Sequence, residues 1–244
     1  LPISSPRVVV LVLAAGASSR FGSDKRQALL PDGRSLLATV VATHREVFDE
    51  VWVLTRPGPA GEADAFAQAV CEAHGARCVS CADAVLGQGH TLAAGLRLLQ
   101  AEVNAPGTAS TSTDAALSAQ PVAAALVALA DMPWVRADTL RRLRERFEAT
   151  GRVVLPRCGD ALGHPRLLPR AVWPALLGDA VPASGAGAAG AQGPTGLRGD
   201  RGAQALLDWA AAEQVAVDDM GVLRDADTPA DLRHGNSAQP LTGN

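Results

Sequence analysis

The chain has 244 residues, of which 48% are hydrophobic, and a formal net charge of -3 at pH 7. This length predicts one domain with an ample core, over residues 1–233, followed by a disordered tail at residues 234–244. The weakly acidic charge argues against nucleic-acid binding, which needs a basic face. No apolar run reaches the length of a membrane span, and four cysteines are too few for a secreted disulfide framework in so long a chain. We therefore expect a cytoplasmic protein.

The first predicted element is a buried strand that ends in a loop of small residues. Val8 to Ala14 is an apolar run rich in valine, as in a buried parallel strand, and the loop runs from Ala15 to Lys25. Small residues allow the backbone to approach an anion closely. Arg20 and Lys25, the only lysine of the chain, add positive charge. The loop fits neither the Walker pattern nor G-x-G-x-x-G. It predicts a phosphate-binding site, with an ordinary strand-to-helix turn as the alternative.

Strands and helices then alternate along the chain. Ser35 is predicted to cap a helix, and Gly61 to His74 predicts another, between short strands at 50–55 and 76–80. Such alternation predicts a mostly parallel sheet with helices on both faces, which is a three-layer α/β/α fold.

The stretch from Gly87 to Leu96 predicts the start of the next helix, with Thr91 as its N-cap. Free amides before a helix, including that of Gly89, can face an anion or a base carbonyl. His90 is either catalytic or a loop histidine that only forms a hydrogen bond.

A second apolar strand is predicted over residues 121–130, and Asp131 follows it directly. A carboxylate there would lie in the crevice where open α/β sheets bind ligands, and it suits Mg²⁺. The alternative is that Asp131 caps the next helix. Segments near 104–120 and 178–196, rich in small residues, predict flexible insertions.

The last third of the chain predicts a strand at 152–156, then the turn that contains His164. His164 could be a phosphate contact, a metal ligand, a donor to another ligand, or a structural turn residue. Gly199 is predicted to begin a helix that runs to Ala212. Near the end, Thr228 predicts an N-cap, and Asp225 and Asp227 are weaker metal candidates.

Five stretches together resemble one family, the nucleotidyltransferases that load an NTP onto molybdopterin, known as MobA-like NTP transferases. The first is L-A-A-G-A-S-S-R-F-G-S-D-K at residues 13–25, and the second is L-A-D-M-P at 129–133. The others are G-H-P at 163–165, G-D-R-G-A at 199–203 and D-A-D-T-P-A-D-L at 225–232. The two alanines before Gly16, together with G-H-P, resemble the cytidylyltransferase branch.

The resemblance implies a Rossmann-like nucleotidyltransferase that transfers CMP from CTP to the phosphate of molybdopterin and releases pyrophosphate. It implies Mg²⁺, with Mn²⁺ as an alternative, and a molybdoenzyme or its chaperone as a further partner. The implied catalytic residues are Arg20, Lys25 and Asp131. The implied nucleotide-binding residues are Leu13, Ala14, Ala15, Gly16, Ser18, Arg20, Lys25, Gly89 and Thr91. The implied acceptor-binding residues are His164 and Asp200, and the implied metal ligand is Asp131, with His164 or Asp227 as the second.

Two other functions stay open at this point. One is a guanylyltransferase or another NTP transferase with a different phosphorylated acceptor. The other is a non-catalytic, nucleotide-binding chaperone that delivers the cofactor to an enzyme.

Overall fold

The computed structural model describes residues 5–16, 21–58, 61–104, 120–179, 196–199, 203 and 206–233. Three of the predicted site residues, Ser18, Arg20 and Asp200, lie outside the described residues. So do the tail from 234 and most of both predicted insertions.

Eight strands of the described residues form one sheet, and most of them are parallel. The order is β3-β2-β1-β4-β7-β5-β6, and β8 pairs with β5. The pairs β1·β2, β1·β4, β2·β3 and β5·β8 are parallel, while β7 is antiparallel to both β4 and β5, and β6 to β5. The mostly parallel sheet predicted from the sequence is thus confirmed. The strands are β1 Val8–Leu13, β2 Glu50–Thr55, β3 Arg77–Ser80, β4 Ala124–Leu129, β5 Val154–Cys158, β6 Ala161–Leu162, β7 Arg166–Pro169 and β8 Glu213–Ala216.

Helices cover both faces of this sheet, which confirms the three-layer α/β/α fold. One apolar cluster joins one face of the sheet to α1, α2 and α4, and a second joins the other face to α3 and α5. Gly95 lets α3 lie close to the sheet, since a Cβ there would stand 2.6 Å from Cδ1 of Leu54. The helices are α1 Leu36–Arg45, α2 Ala65–His74, α3 Gln88–Asn104, α4 Ala137–Thr150, α5 Trp173–Leu177 and α6 Pro229–Arg233. In the part of the chain that the structure describes, no helix has both the length and the apolarity to span a membrane.

Two predicted caps are confirmed. The Ser35 hydroxyl accepts a hydrogen bond from the Ala38 amide at the start of α1. At the start of α6, the Asp231 carboxylate accepts from the Thr228 amide and hydroxyl at 2.7 and 2.8 Å. Both arrangements satisfy donors that the first helical turn would otherwise leave without a partner.

Two helix predictions are wrong. Thr91 is not an N-cap, because α3 begins at Gln88, directly after the positive-φ residue Gly87. The predicted helix up to Ala212 is absent from the described residues 206–212, where only a 3-10 turn occurs, at Trp209–Ala211. The Asp208 side chain caps that turn by accepting from the Ala210 amide. The alanine-rich pattern predicted too long a helix, because intrinsic helix propensity is a weak preference that tertiary contacts can override.

The boundaries of three other elements differ slightly from the prediction. α2 begins at Ala65, because Asp64 rather than Gly61 forms its cap. β4 is shorter at both ends than the apolar run that predicted it, and β5 lies two residues later than predicted.

Candidate active site

A cleft of about 440 Å³ lies at the carboxyl edge of strands β1, β2 and β4. This volume is within the usual range for small-molecule sites. Eight predicted site residues line the cleft: Leu13, Ala14, Ala15, Gly16, Lys25, Thr91, Asp131 and Asp227. The strand-end rule for open α/β sheets thus predicted that these residues would lie at one edge of the sheet, and the structure places them in one cleft there.

Lys25 joins two carboxylates at one end of this cleft. Its Nζ lies 2.7 Å from Oδ2 of Asp131 and 3.5 Å from Oδ1 of Asp227. The Ala226 carbonyl oxygen is also 3.5 Å from Nζ. The side chains of Lys25 and Asp131 are 16% and 24% exposed, so the pair is partly shielded but still open to the cleft. The three oxygens form a cation-binding cluster, and the lysine ammonium occupies it.

Main-chain contacts bring these groups together. Lys25 begins a 3-10 turn capped by Asp24, whose Oδ1 accepts from the Arg26 amide at 3.1 Å. The Ala226 amide donates to the Asp131 carbonyl at 2.8 Å, which places Asp227 beside the end of β4. Residues more than 200 positions apart in sequence thus form one site.

Arg26 supports the loop after β1. Its guanidinium forms ion pairs with Asp24 and Asp64 and donates to the Ala14 carbonyl at 3.2 Å. Burial alone would lower the pKa of Arg26, but the hydrogen bonds to the two aspartates raise it overall. The sequence reasoning missed this residue, although it directly follows the lysine.

Asp219, not Asp131, stabilises the start of α4. The buried Asp219 carboxylate accepts from the Arg136 amide at 3.0 Å, from the Thr139 hydroxyl at 2.6 Å and from the Gly221 amide at 3.0 Å. The alternative that Asp131 caps this helix is therefore wrong. The Asp131 side chain faces the cleft and Lys25 instead.

At the start of α3, the residues that face the cleft differ from those predicted from the sequence. Thr91 lines the cleft, and its hydroxyl donates to the Gly87 carbonyl at 3.3 Å. Gly89 does not line the cleft; it is buried, and its amide donates to the Gly199 carbonyl at 2.7 Å. His90 lies in the helix, and its Nδ1 accepts from the Gly199 amide at 2.9 Å. This hydrogen bond agrees with the non-catalytic interpretation of His90.

His164 lies outside the lining of the cleft. Its amide donates to the Val222 carbonyl at 2.8 Å, its bond to Pro165 is cis, and its Nδ1 is buried without a hydrogen-bond partner. Burial, with the nearby charge of Arg166, lowers the pKa of His164 to about 4. Among the described residues, no group of three or more His, Cys, Asp and Glu side chains could hold a metal. Asp227 lies beside Asp131 in the cleft, where both pair with Lys25, whereas His164 does not line the cleft.

Several lining residues were not predicted. Phe21, Arg56, Val85 and Gln88 contribute side chains to the cleft. Arg56 follows β2 directly, so the same strand-end rule that identified Asp131 could have found it. Phe21 lies in the loop after β1, Val85 in a short 3-10 helix after β3, and Gln88 at the first position of α3.

The comparisons with known proteins agree with this geometry. Residues 10–193 match the family described as the MobA-like NTP transferase domain, while no curated protein matches the chain. Rv0371c of Mycobacterium tuberculosis H37Rv is similar in structure, with 24% identity, a TM-score of 0.61 and coverage of 93% of this chain and 96% of that one. The manganese complex of Rv0371c has 23% identity, a TM-score of 0.56 and 93% coverage of both chains. The 4-diphosphocytidyl-2C-methyl-D-erythritol synthase of Anaerococcus prevotii DSM 20548 has 11% identity, a TM-score of 0.59 and 96% coverage of both. The chain belongs to the MobA-like NTP transferase domain family and is a nucleotidyltransferase.

Proposed function

We propose that this nucleotidyltransferase transfers CMP from CTP to the terminal phosphate of molybdopterin and releases pyrophosphate. The observation that carries the proposal is the convergence of Asp131 and Asp227 on Lys25, beside the small-residue loop and within one cleft. The choice of CTP and of molybdopterin rests on the resemblance of two stretches, A-A-G at 14–16 and G-H-P at 163–165, to the cytidylyltransferase branch.

The loop after β1 supplies the phosphate contacts. Gly16 and its neighbours line the cleft and allow phosphate oxygens to approach the backbone. Lys25 provides a flexible ammonium that can counter the charge that grows at the α-phosphate. Arg20 is proposed to hold the β- and γ-phosphates together with the loop amides, on the strength of the sequence resemblance.

Asp131 and Asp227 are proposed to hold a divalent cation. Hard oxygen ligands suit Mg²⁺ or Mn²⁺, and Mg²⁺ commonly binds one or two carboxylates and completes its shell with phosphate and water. The two carboxylates already share one cation, the Lys25 ammonium, which shows that their oxygens converge. When bound, the metal would supply charge neutralisation at the phosphates.

The acceptor needs little activation from the protein. A phosphate monoester is already ionised near neutral pH, so positioning can replace a strong general base. His164 precedes β7, whose first residue pairs with Val127 of β4, and we propose that it contacts the acceptor on the β4 side. With a pKa near 4, His164 would act there as a neutral hydrogen-bonding group. Asp200 is proposed as a second acceptor contact from its motif alone.

The test measures pyrophosphate release with each of the four NTPs and Mg²⁺, with and without molybdopterin. We expect rapid release only with CTP and molybdopterin together. Pyrophosphate release with CTP and a different phosphorylated acceptor would reject molybdopterin as the acceptor. Release with GTP would reject CTP as the nucleotide donor. Tight nucleotide binding without release under any combination would favour the non-catalytic chaperone.

We also propose that residues 1–233 act as one catalytic domain in the cytoplasm. All four cysteines are free thiols, which agrees with a reducing compartment.

A further inference from the structure

The cleft has a second end with a different chemical character. Lys25, Asp131 and Asp227 lie over β1 and β4, while Arg56 comes from the end of β2 and Val85 from the turn after β3. The sheet order β3-β2-β1-β4 therefore separates the two groups across the width of the cleft. A nucleotide whose phosphates lie at the carboxylate end would extend its base toward β2 and β3.

The β2–β3 end combines apolar surface with hydrogen-bonding groups. Val85 is 72% exposed, although it is apolar and lines the cleft with Ala84. Such exposed apolar side chains suit the flat face of a base. Gln88 and Arg56 provide the polar groups at this end.

Arg56 differs from the other two cations that line the cleft. Lys25 pairs with two aspartates, and so does Arg26. Arg56, by contrast, forms no hydrogen bond or ion pair with any part of the chain that the structure describes, and its side chain is exposed to the cleft. Its five donors are thus available to a ligand.

We propose that Arg56 reads the nucleobase, by donating two parallel hydrogen bonds to a base edge with two adjacent acceptors. Cytosine presents O2 and N3 as such a pair, whereas N3 of uracil carries a hydrogen and would oppose a donor. A guanidinium fork fits two neighbouring acceptors better than a point charge does. Arg56 thereby selects CTP over UTP, two nucleotides of equal size that cleft volume alone cannot separate. This inference rests on the proposed function and adds the residue that distinguishes cytosine from uracil.

The experiment compares three variants at position 56 and at one control position. Arg56→Gln removes the charge, Arg56→Lys keeps the charge but removes the fork, and Arg34→Gln removes an arginine that pairs with Asp32 and does not line the cleft. Affinities for CTP, UTP and inorganic tripolyphosphate are measured by calorimetry with Mn²⁺, and thermal unfolding checks that each variant is folded.

We expect the wild type and Arg34→Gln to bind CTP more tightly than UTP. Both substitutions at position 56 should lower that ratio by about tenfold, through weaker CTP binding, because a bidentate base contact contributes discrimination of this order. Tripolyphosphate affinity should stay the same in all variants. If Arg56→Lys binds CTP as the wild type does, and if Arg56→Gln weakens tripolyphosphate binding as much as CTP binding, Arg56 contacts the phosphates and the proposal is overturned.

Two further results separate this inference from the proposed function. Equal affinity of the wild type for CTP and UTP would overturn the role of Arg56, while nucleotidyl transfer could still be measured. An unchanged CTP-to-UTP ratio in Arg56→Gln would do the same. Failure of the wild type to bind any nucleotide would instead reject the proposed function, and the inference with it.

Discussion

Lys25 has two competing roles at the scale of single residues. Its ammonium now occupies the cluster formed by Asp131, Asp227 and the Ala226 carbonyl, where the proposed divalent cation would bind. A metal that entered would repel this ammonium and direct it toward the phosphates. The proposed function therefore gives the same residue two roles, as the partner of two carboxylates and as a contact of the phosphates.

The first prediction separates these roles with Lys25→Ala. Turnover should fall at least about tenfold, because one charge-assisted hydrogen bond to a phosphate contributes roughly 1.5 to 3 kcal/mol. Mn²⁺ affinity of the nucleotide-free chain should instead rise about tenfold, because a competing cation is removed. Turnover is followed by pyrophosphate release, and Mn²⁺ binding by electron paramagnetic resonance.

Asp131→Asn is the matched control for that prediction. It keeps the size of the side chain but removes a metal-binding charge, so turnover and Mn²⁺ affinity should both fall while thermal stability is preserved. If Lys25→Ala weakens Mn²⁺ binding as Asp131→Asn does, the ammonium does not occupy the metal position.

Sequence patterns identified residues best where one local rule applies. Lys25 and Asp131 follow buried apolar strands, and the strand-end rule placed both in one cleft. Arg26 and Asp219 escaped prediction, because their roles depend on partners that are distant in sequence or on another element. Gly89 was placed correctly at the start of α3, but only the structure shows that its amide already binds Gly199.

At the scale of elements, the segment after β8 holds the start of α4 in place. Asp219 accepts three hydrogen bonds, from Arg136, Thr139 and Gly221. Gly221 also packs tightly, since a Cβ there would lie 2.1 Å from the Trp134 carbonyl oxygen. This segment leads directly to Asp227, so the start of α4 and the pairing of Asp227 with Lys25 depend on the same stretch of chain.

The second prediction concerns Asp219→Ala. It should lower the free energy of unfolding by about 2 to 4 kcal/mol, because it removes a helix cap and leaves buried donors without partners. The control is Asp138→Ala, which removes an exposed carboxylate from the first turn of the same helix and should cost under about 1 kcal/mol. Urea unfolding measures both, and equal effects would show that helix charge rather than the three hydrogen bonds matters.

The third prediction concerns His44 on α1 and the dependence of stability on pH. Nδ1 of His44 lies 2.7 Å from the Val40 carbonyl oxygen, and burial lowers the pKa of His44 from 6.5 to about 4. The unfolded chain takes up this proton near pH 6.5, whereas the folded chain does so only near 4. The stability from neutral His44 is therefore fully present above about pH 6.5 and declines as the pH falls toward 4.

Urea unfolding at several pH values tests this sign. Between about pH 7 and pH 5, His44 should account for a loss of about 2 kcal/mol, and His44→Leu should remove that part of the slope. His164, whose pKa is also lowered to about 4, leaves a residual slope in the variant. An unchanged slope in His44→Leu would show that the buried histidine does not control the acid sensitivity.

The pattern of apolar residues predicted the strands of the sheet better than it predicted the loops and the short helices. β1, β2 and β4 are buried along almost their whole length, so their strands were evident from sequence. The antiparallel β6 and β7 were not predicted. β6 has only two residues, and its side chains are exposed, while β7 has only four residues, which begin with an arginine and end with a proline. The region before Ala212 shows the opposite error, because a helix was predicted where the described residues form only a 3-10 turn. At Thr91 the helix was predicted too short, since α3 already begins at Gln88.

At the scale of the whole molecule, the two ends of the cleft draw on the chain differently. The residues of the proposed base end, Arg56, Val85 and Gln88, all lie in the first half of the chain, whereas the phosphate end joins Lys25 from the first half to Asp131 and Asp227 from the second. The stretch at 163–165 lies outside the cleft lining, and Gly163 packs so closely that a Cβ would lie 2.4 Å from the Val222 carbonyl oxygen. Base choice is therefore expected to depend mainly on the first half of the chain.

The fourth prediction follows from this division of the molecule. Wild-type protein given equal CTP and GTP in one reaction with molybdopterin should form mostly the cytidine product, because a site that hydrogen-bonds a pyrimidine rejects the larger purine and leaves polar groups unpaired against it. Ala15→Gly alone should only soften the preference, since the resemblance to the cytidylyltransferase branch rests on two stretches, 14–16 and 163–165, rather than on one. Mass spectrometry of the dinucleotide product measures the ratio. A predominant guanine product would reject the proposed cytidylyltransferase activity, whereas the nucleotidyltransferase fold and the roles of Lys25 and Asp131 would stand.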